Sequence, residues 1–135
     1  RKMLEAANEL CGEIVRGGKK LIDQPDTRTR LARTLAHIWI SDLFTWHANW
    51  VIAEKKQNFA YGPRAKLFSS EKFLTDARDL LDLTAPYSLE TGTGPAGELN
   101  LFYRHAQGAT IYGGTSEVHR SMIAERALSL PRTRG

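Results

Sequence analysis

Residues 111–120 read Ile-Tyr-Gly-Gly-Thr-Ser-Glu-Val-His-Arg, IYGGTSEVHR, and their reading decides how the last third of the chain is built. Two glycines interrupt an otherwise helical pattern, and Thr-Ser-Glu restarts it at once. Gly113 and Gly114 can take positive φ at little steric cost and let another molecule approach the backbone. Thr115 or Ser116 can cap the new helix, whose first N–H groups have no partner within the helix. A helix start carries about half a positive charge and suits a phosphate or pyrophosphate. The same residues also describe a plain corner between two helices, and taken alone they leave both readings open.

The helical pattern extends outward from this turn, with one helix expected across 98–111, another across 115–129, and a tail from Pro131 to Gly135. Residues 84–97, TAPYSLETGTGPAG, are loop by composition. Before them, Leu67, Phe68, Phe73, Leu74, Ala77, Leu80 and Leu81 predict a helix over 64–83, following the punctuation Tyr61-Gly62-Pro63. Residues 28–56 contain no Gly or Pro. Their apolar side chains (Leu31, Leu35, Ile38, Trp39, Phe44, Trp46, Trp50, Val51) cover more than one stripe. That helix is expected to be contacted from two sides, inside a bundle or at an oligomer interface. Asp23–Thr27 reads as a connector, with Asp26 or Thr27 as N-cap. Met3, Leu4, Ala7, Leu10, Cys11, Ile14 and Val15 predict an amphipathic helix over 2–16, ended by Gly17-Gly18. No segment reads as a strand. The expected fold is all-α, an up-and-down helical bundle.

At 135 residues the chain holds one core, and 1–135 is expected to be a single domain. A composition 41% hydrophobic and 25% charged is that of a globular protein. The one cysteine, Cys11, excludes an internal disulfide and fits a reducing compartment, the cytoplasm. No apolar run reaches the ~20 residues that span a bilayer. No signal peptide is visible, and a first residue of Arg1 rather than Met points to a processed or truncated chain. A net charge of +4 permits an anionic partner without choosing one.

Other motifs yield bland readings. Gly92-Thr93-Gly94-Pro95-Ala96-Gly97 matches G-x-G-x-x-G, but the dinucleotide fingerprint needs a strand before it, and here a helix and a polar loop precede it. It is read as a loop. His37, His47, His105 and His119 lack metal-ligand spacing, so no metal is expected. No G-x-S-x-G elbow supports a Ser/His/Asp nucleophile. The basic clusters Arg16/Lys19/Lys20 and Arg28/Arg30/Arg33 are interleaved with Asp23, Asp26 and Asp42, which favours a solvated helix face over a nucleic-acid surface.

Residues 111–132, IYGGTSEVHRSMIAERALSLPR, closely resemble the C-terminal signature of acyl-CoA dehydrogenases. Phe102-Tyr103-Arg104-His105-Ala106 resembles that family's aromatic-x-Arg-x-Ala helix. Gly62-Pro63-Arg64-Ala65-Lys66-Leu67-Phe68 resembles the Gly-Pro-x-x-x-x-Lys-Leu segment of the actinobacterial-type branch, with a shorter spacer. The resemblance implies a C-terminal helical bundle, a fragment of a longer flavoprotein that oxidises an acyl-CoA thioester to its 2,3-enoyl product. It implies FAD at a subunit interface and a homo-oligomer or a heteromeric dehydrogenase partner, with an electron-acceptor flavoprotein possible. It also implies cofactor contacts from Tyr112, Gly114, Thr115 and Glu117, with Arg104 and Arg120 as further candidates or, equally, as salt-bridge residues.

The family pattern is not complete. Gly113 stands where one branch has its catalytic glutamate, so this chain carries no base there, and other branches place it on an earlier helix. The Gln-Phe-Gly segment is missing around 16–24, and Thr84-Ala85-Pro86-Tyr87 replaces a Gly-Gly-x-Gly-Tyr turn. Both usually reach the neighbouring subunit's FAD. The chain alone is therefore expected to be inactive. The alternative is a non-catalytic helical assembly module using Trp39, Trp46 and Trp50, or a degenerate subunit of a heteromeric dehydrogenase.

Overall fold

A computed structural model describes residues 1–56 and 60–132. Among them the α-helices are α1 (Lys2–Glu13), α2 (Pro25–Ala53), α3 (Tyr61–Thr84), α4 (Pro95–Ala109) and α5 (Ser116–Ala127). The all-α bundle expected from periodicity is the fold. Helix α3 is its centre and packs against α1, α2, α4 and α5. Residues 133–135 of the expected tail lie outside the described residues.

Helix α1 buries Met3, Ala6, Ala7, Leu10 and Cys11, the spacing of one helical face. These meet Leu21, Leu31, Ala77, Leu80, Leu83, Leu99 and Ala106 in one core. Leu80 and Leu99 are fully enclosed, and truncating either to Ala removes about 2–5 kcal/mol by transfer and cavity terms. Burial pushes the Cys11 thiol up to about 11, against Arg30 and Arg16, so it packs as a small apolar group.

Three expected boundaries are corrected. Helix α1 stops at Glu13, because Ile14 turns into extended backbone. Gly17 and Gly18, at φ +63° and +77°, then form the turn of a hairpin between β1 (Val15–Arg16) and β2 (Lys19–Lys20). Two successive positive φ values are what a tight hairpin turn requires, so a short strand pair stands where none was expected. Helix α2 begins at Pro25, whose missing N–H costs nothing at a first helical position. Asp26 and Thr27 therefore lie inside the helix rather than capping it. Helix α4 likewise opens at Pro95, after Gly94 at φ +99°. The preceding segment is a 3-10 turn at Tyr87–Leu89, not a strand. A Cβ on Gly97 would lie 1.9 Å from the Gly92 carbonyl oxygen, so the glycines serve a close backbone contact.

The basic clusters are solvated as expected at Arg16, Lys19, Lys20, Arg28 and Arg33, and only Arg30 is half-buried. Arg30 donates to both carboxylate oxygens of Asp79 at 3.1 Å, and Arg33 adds a bond of 2.9 Å. Burial alone would raise the Asp79 carboxyl, but these two guanidinium groups hold it below its ordinary value. One turn earlier, Asp76 is pushed up by burial, against the opposing pull of His37 and Lys72. Arg16 donates to the Ala85 carbonyl at 2.9 Å, and Arg28 to the Ile22 carbonyl at 2.9 Å.

Helix α2 is unevenly covered. It buries Thr27, Leu31 and Thr34 in its first half and only Val51 in its second. Trp39, Leu43, Trp46 and Trp50 are 58%, 58%, 67% and 48% exposed. At roughly 100° per residue these four fall within about 60° of arc, one continuous stripe. The bundle thus covers one side of α2. No helix among the described residues is long and apolar enough to cross a membrane.

Candidate functional site

Helix α4 ends at Ala109, and the chain reaches α5 through Gly113 and Gly114, at φ +69° and +102°. The helix restarts on Thr115, which is its N-cap: the Thr115 hydroxyl accepts from the Val118 N–H at 3.4 Å. Glu117 completes the cap. Its carboxyl is held below the ordinary value by its own backbone N–H and by the Thr115 hydroxyl, with Arg120 nearby. A carboxylate thus stands at the positive start of α5, where it opposes an added anion. The Gly114 N–H turns back towards the end of α4 and closes the turn.

The inner side of the turn is held by two residues that sequence reasoning gave no role. Lys66, from α3, donates to the Ala109 carbonyl at 2.7 Å and reaches the Gly114 carbonyl at 3.5 Å. A cation there also complements the negative end of α4. His119, on α5 and 8% exposed, places Nε2 at 3.1 Å from the Gly113 carbonyl oxygen. Lys66 was visible only as part of the Gly-Pro…Lys-Leu resemblance. The signal for His119 is its place three residues after Ser116, on the buried face of an otherwise exposed helix.

The outer side is open. Ile111, Tyr112 and Val118 are 65%, 53% and 50% exposed. Thr110, Ile111, Thr115, Ser116, Glu117 and Arg120 line a groove of about 410 Å³ that also includes Glu71 of α3. Arg120 is ion-paired with Glu71 across this groove. Tyr112 donates to or accepts from His105 at 3.0 Å. Arg104 is separate: it is exposed and lines a different groove with Glu9 and the 91–98 segment. Tyr112, Gly113, Gly114, Thr115, Glu117 and Arg120 thus cluster, and Arg104 stands apart.

The other histidines have partners of their own. His37 Nδ1 lies 2.9 Å and 3.0 Å from the Asp76 oxygens. His47 accepts from Arg64 at 3.1 Å and lies tilted against the Tyr61 ring, with centroids 4.2 Å apart. Among the described residues no three His, Cys, Asp or Glu side chains converge on a metal position.

The family model for the acyl-CoA dehydrogenase C-terminal domain matches residues 1–128. This chain belongs to that family. A search of curated proteins finds no match. Among solved structures, the ChsE4-ChsE5 complex from Mycobacterium tuberculosis aligns with a TM-score of 0.81 and 26% identity, over 97% of this chain and 35% of that one. The acyl-CoA dehydrogenase of Geobacillus kaustophilus aligns with a TM-score of 0.84 and 22% identity, over 95% and 32%. Butyryl-CoA dehydrogenase from Megasphaera elsdenii aligns with a TM-score of 0.82 and 22% identity, over 94% and 32%. The chain therefore spans about a third of the length of these relatives.

Proposed function

We propose that this chain is the single C-terminal bundle, 1–135, of a longer FAD-dependent acyl-CoA dehydrogenase of the actinobacterial-type branch. It offers the 112–117 turn to the cofactor and the α2 aromatic stripe to an oligomer partner, a second copy or a heteromeric subunit. The observation that carries the reading is the turn itself: two glycines at positive φ set between the exposed Tyr112 and the capped start of α5. Bound FAD would supply hydride acceptance, and an electron-acceptor flavoprotein would then drain it.

The donor set fits one part of that cofactor better than another. A turn flanked by exposed Ile111, Tyr112 and Val118 suits a flat heteroaromatic. The Glu117 carboxylate at the helix start repels phosphate, so the hydroxyl-bearing or ring portion of FAD is assigned to this side. Within the chain, the turn's role is binding and orientation. Gly113 cannot remove a proton, so the base belongs to another part of the parent and this chain alone does not oxidise acyl-CoA. Arg120 and, more remotely, Arg104 supply positive charge at the rim.

Hydrogen exchange in the full-length protein tests this directly. FAD added to the apoprotein is expected to slow exchange of the amides in 111–118, and unchanged exchange there removes the cofactor assignment. The second reading, an assembly module or degenerate subunit, is favoured by the exposure of Trp39, Trp46 and Trp50. Under both readings Trp46→Glu is expected to weaken association in sedimentation. Only the dehydrogenase reading expects the FAD-dependent protection as well.

A further inference from the structure

We infer that a cavity between α1, α2, α3 and α4 binds a small aromatic monocarboxylate, with Lys72 as the residue that pairs with its charge. The cavity holds about 300 Å³ and shares no lining residue with the groove beside the 112–117 turn. At the ~30 Å³ that a water molecule takes up in the liquid, that is room for about ten non-hydrogen atoms. Met3, Ile38, Phe73 and Phe102 supply its apolar wall, one from each helix. Phe73 and Phe102 stand edge to face with centroids 6.4 Å apart, and a third ring placed against them gains the same kind of contact. Volume and wall together fit a phenyl ring with a short polar arm, at the lower end of the about 300–1,000 Å³ of small-molecule sites.

The polar part of the wall decides the charge of the ligand. Asp76 is 5% exposed, and its two oxygens lie 2.9 Å and 3.0 Å from His37 Nδ1. A buried carboxylate without a partner is costly, and this contact satisfies it while fixing the imidazole in the wall. Asp42 is likewise paired, with Arg1 at 2.7 Å. The Ser41 and Ser69 hydroxyls donate to the His37 and Lys66 carbonyls of their own helices, at 2.8 Å and 3.2 Å, so each offers the cavity only an acceptor. Lys72 is different. Its half-buried ammonium has no hydrogen bond and no ion pair among the described residues, and lies 5.9 Å from the Phe68 ring centroid. It also pulls the Asp76 carboxyl down against the upward push of burial, so its field reaches the buried side of the wall. Three donors remain on one cation beside an apolar surface, where a charge-assisted bond is stronger than in water. A single carboxylate matches that cation. A neutral ligand leaves it unpaired, and a dianion exceeds it.

Nothing in this site depends on the flavin reading, and phenylacetate is the probe for it in the full-length protein. Calorimetric titration is expected to give a Kd of about 1 mM, the range for a ligand of this size. Phenylacetamide has the same shape without the charge, and Lys72→Met keeps the stem without the ammonium. Each change is expected to weaken binding about tenfold, the loss of one charge-assisted hydrogen bond. Ile38→Trp fills the cavity from a half-buried position and is expected to abolish binding, with far-UV circular dichroism unchanged. The place is read from the ¹H–¹³C NMR signals of the His37 ring, which are expected to move on titration while those of His47 and His119 stay. Undetectable binding at about ten times that Kd overturns the inference. So does an affinity unchanged in Lys72→Met or Ile38→Trp, equal binding of phenylacetamide, or a His37 signal that does not move. If phenylacetate binds as stated but FAD protects no amide in 111–118, the cavity stands and the cofactor reading falls.

Discussion

Two glycine pairs in this chain share a backbone and differ in everything around it. Gly17-Gly18 and Gly113-Gly114 each place two successive residues at positive φ. At the first pair an added Cβ would meet nothing within 4 Å; at the second it would meet His119 from Gly114 and Lys66 from Gly113. The first turn closes a hairpin of two-residue strands that are exposed throughout. The second joins two helices over a packed imidazole. Local conformation alone therefore does not tell a connector from a built turn. What tells them apart is whether something inside the fold depends on the missing side chain.

The sharpest way to break this contrast is Gly114→Ala. It adds both a disfavoured φ and a contact with the His119 ring, and the expected cost is about 2 kcal/mol or more, read as a lowered Tm. Combining it with His119→Ala is expected to recover part of the loss, because the ring clash disappears while the φ strain remains. Strict additivity of the two substitutions would mean that the ring is not what Gly114 accommodates. Gly113→Ala has room for its methyl, so only the left-handed φ is charged against it, about 1 kcal/mol. Thr115→Ala removes the α5 cap and falls in the same range, about 0.5–2 kcal/mol. The smallest effect is expected at the other pair. Gly17→Asn leaves an Asn-Gly turn, which hairpins favour, and Tm should move by less than about 0.5 kcal/mol equivalent. A large loss there would erase the distinction between the two pairs.

The same contrast explains which parts of the site could be read in advance. Thr115 as a cap and Gly113-Gly114 as a break follow from residue types within a few positions of each other, and both are present. Lys66 and His119 acquire their roles from contacts the local pattern does not contain. Lys66 is 48 residues from Gly114 in sequence, and His119 reads locally as one more polar residue on a charged helix. Arg120 is a similar case, since its partner Glu71 lies 49 residues away. Arg104 and the turn share a family motif, yet one and a half turns of α4 separate them and carry them to different grooves.

By itself the sequence determined the helices, through apolar residues recurring at helical spacing, and the family, through the run at 111–132. It also made sharp turns available at both glycine pairs, because glycine takes positive φ at little steric cost. Only the tertiary structure decided that α1 ends before its glycines, that Arg30 and Arg33 converge on Asp79, and that His119 lies under Gly114. The physical reason is range. Propensity, capping and φ preference act over one helical turn, whereas an ion pair or a buried ring depends on how distant helices cross, and that is settled by the packing of the whole core.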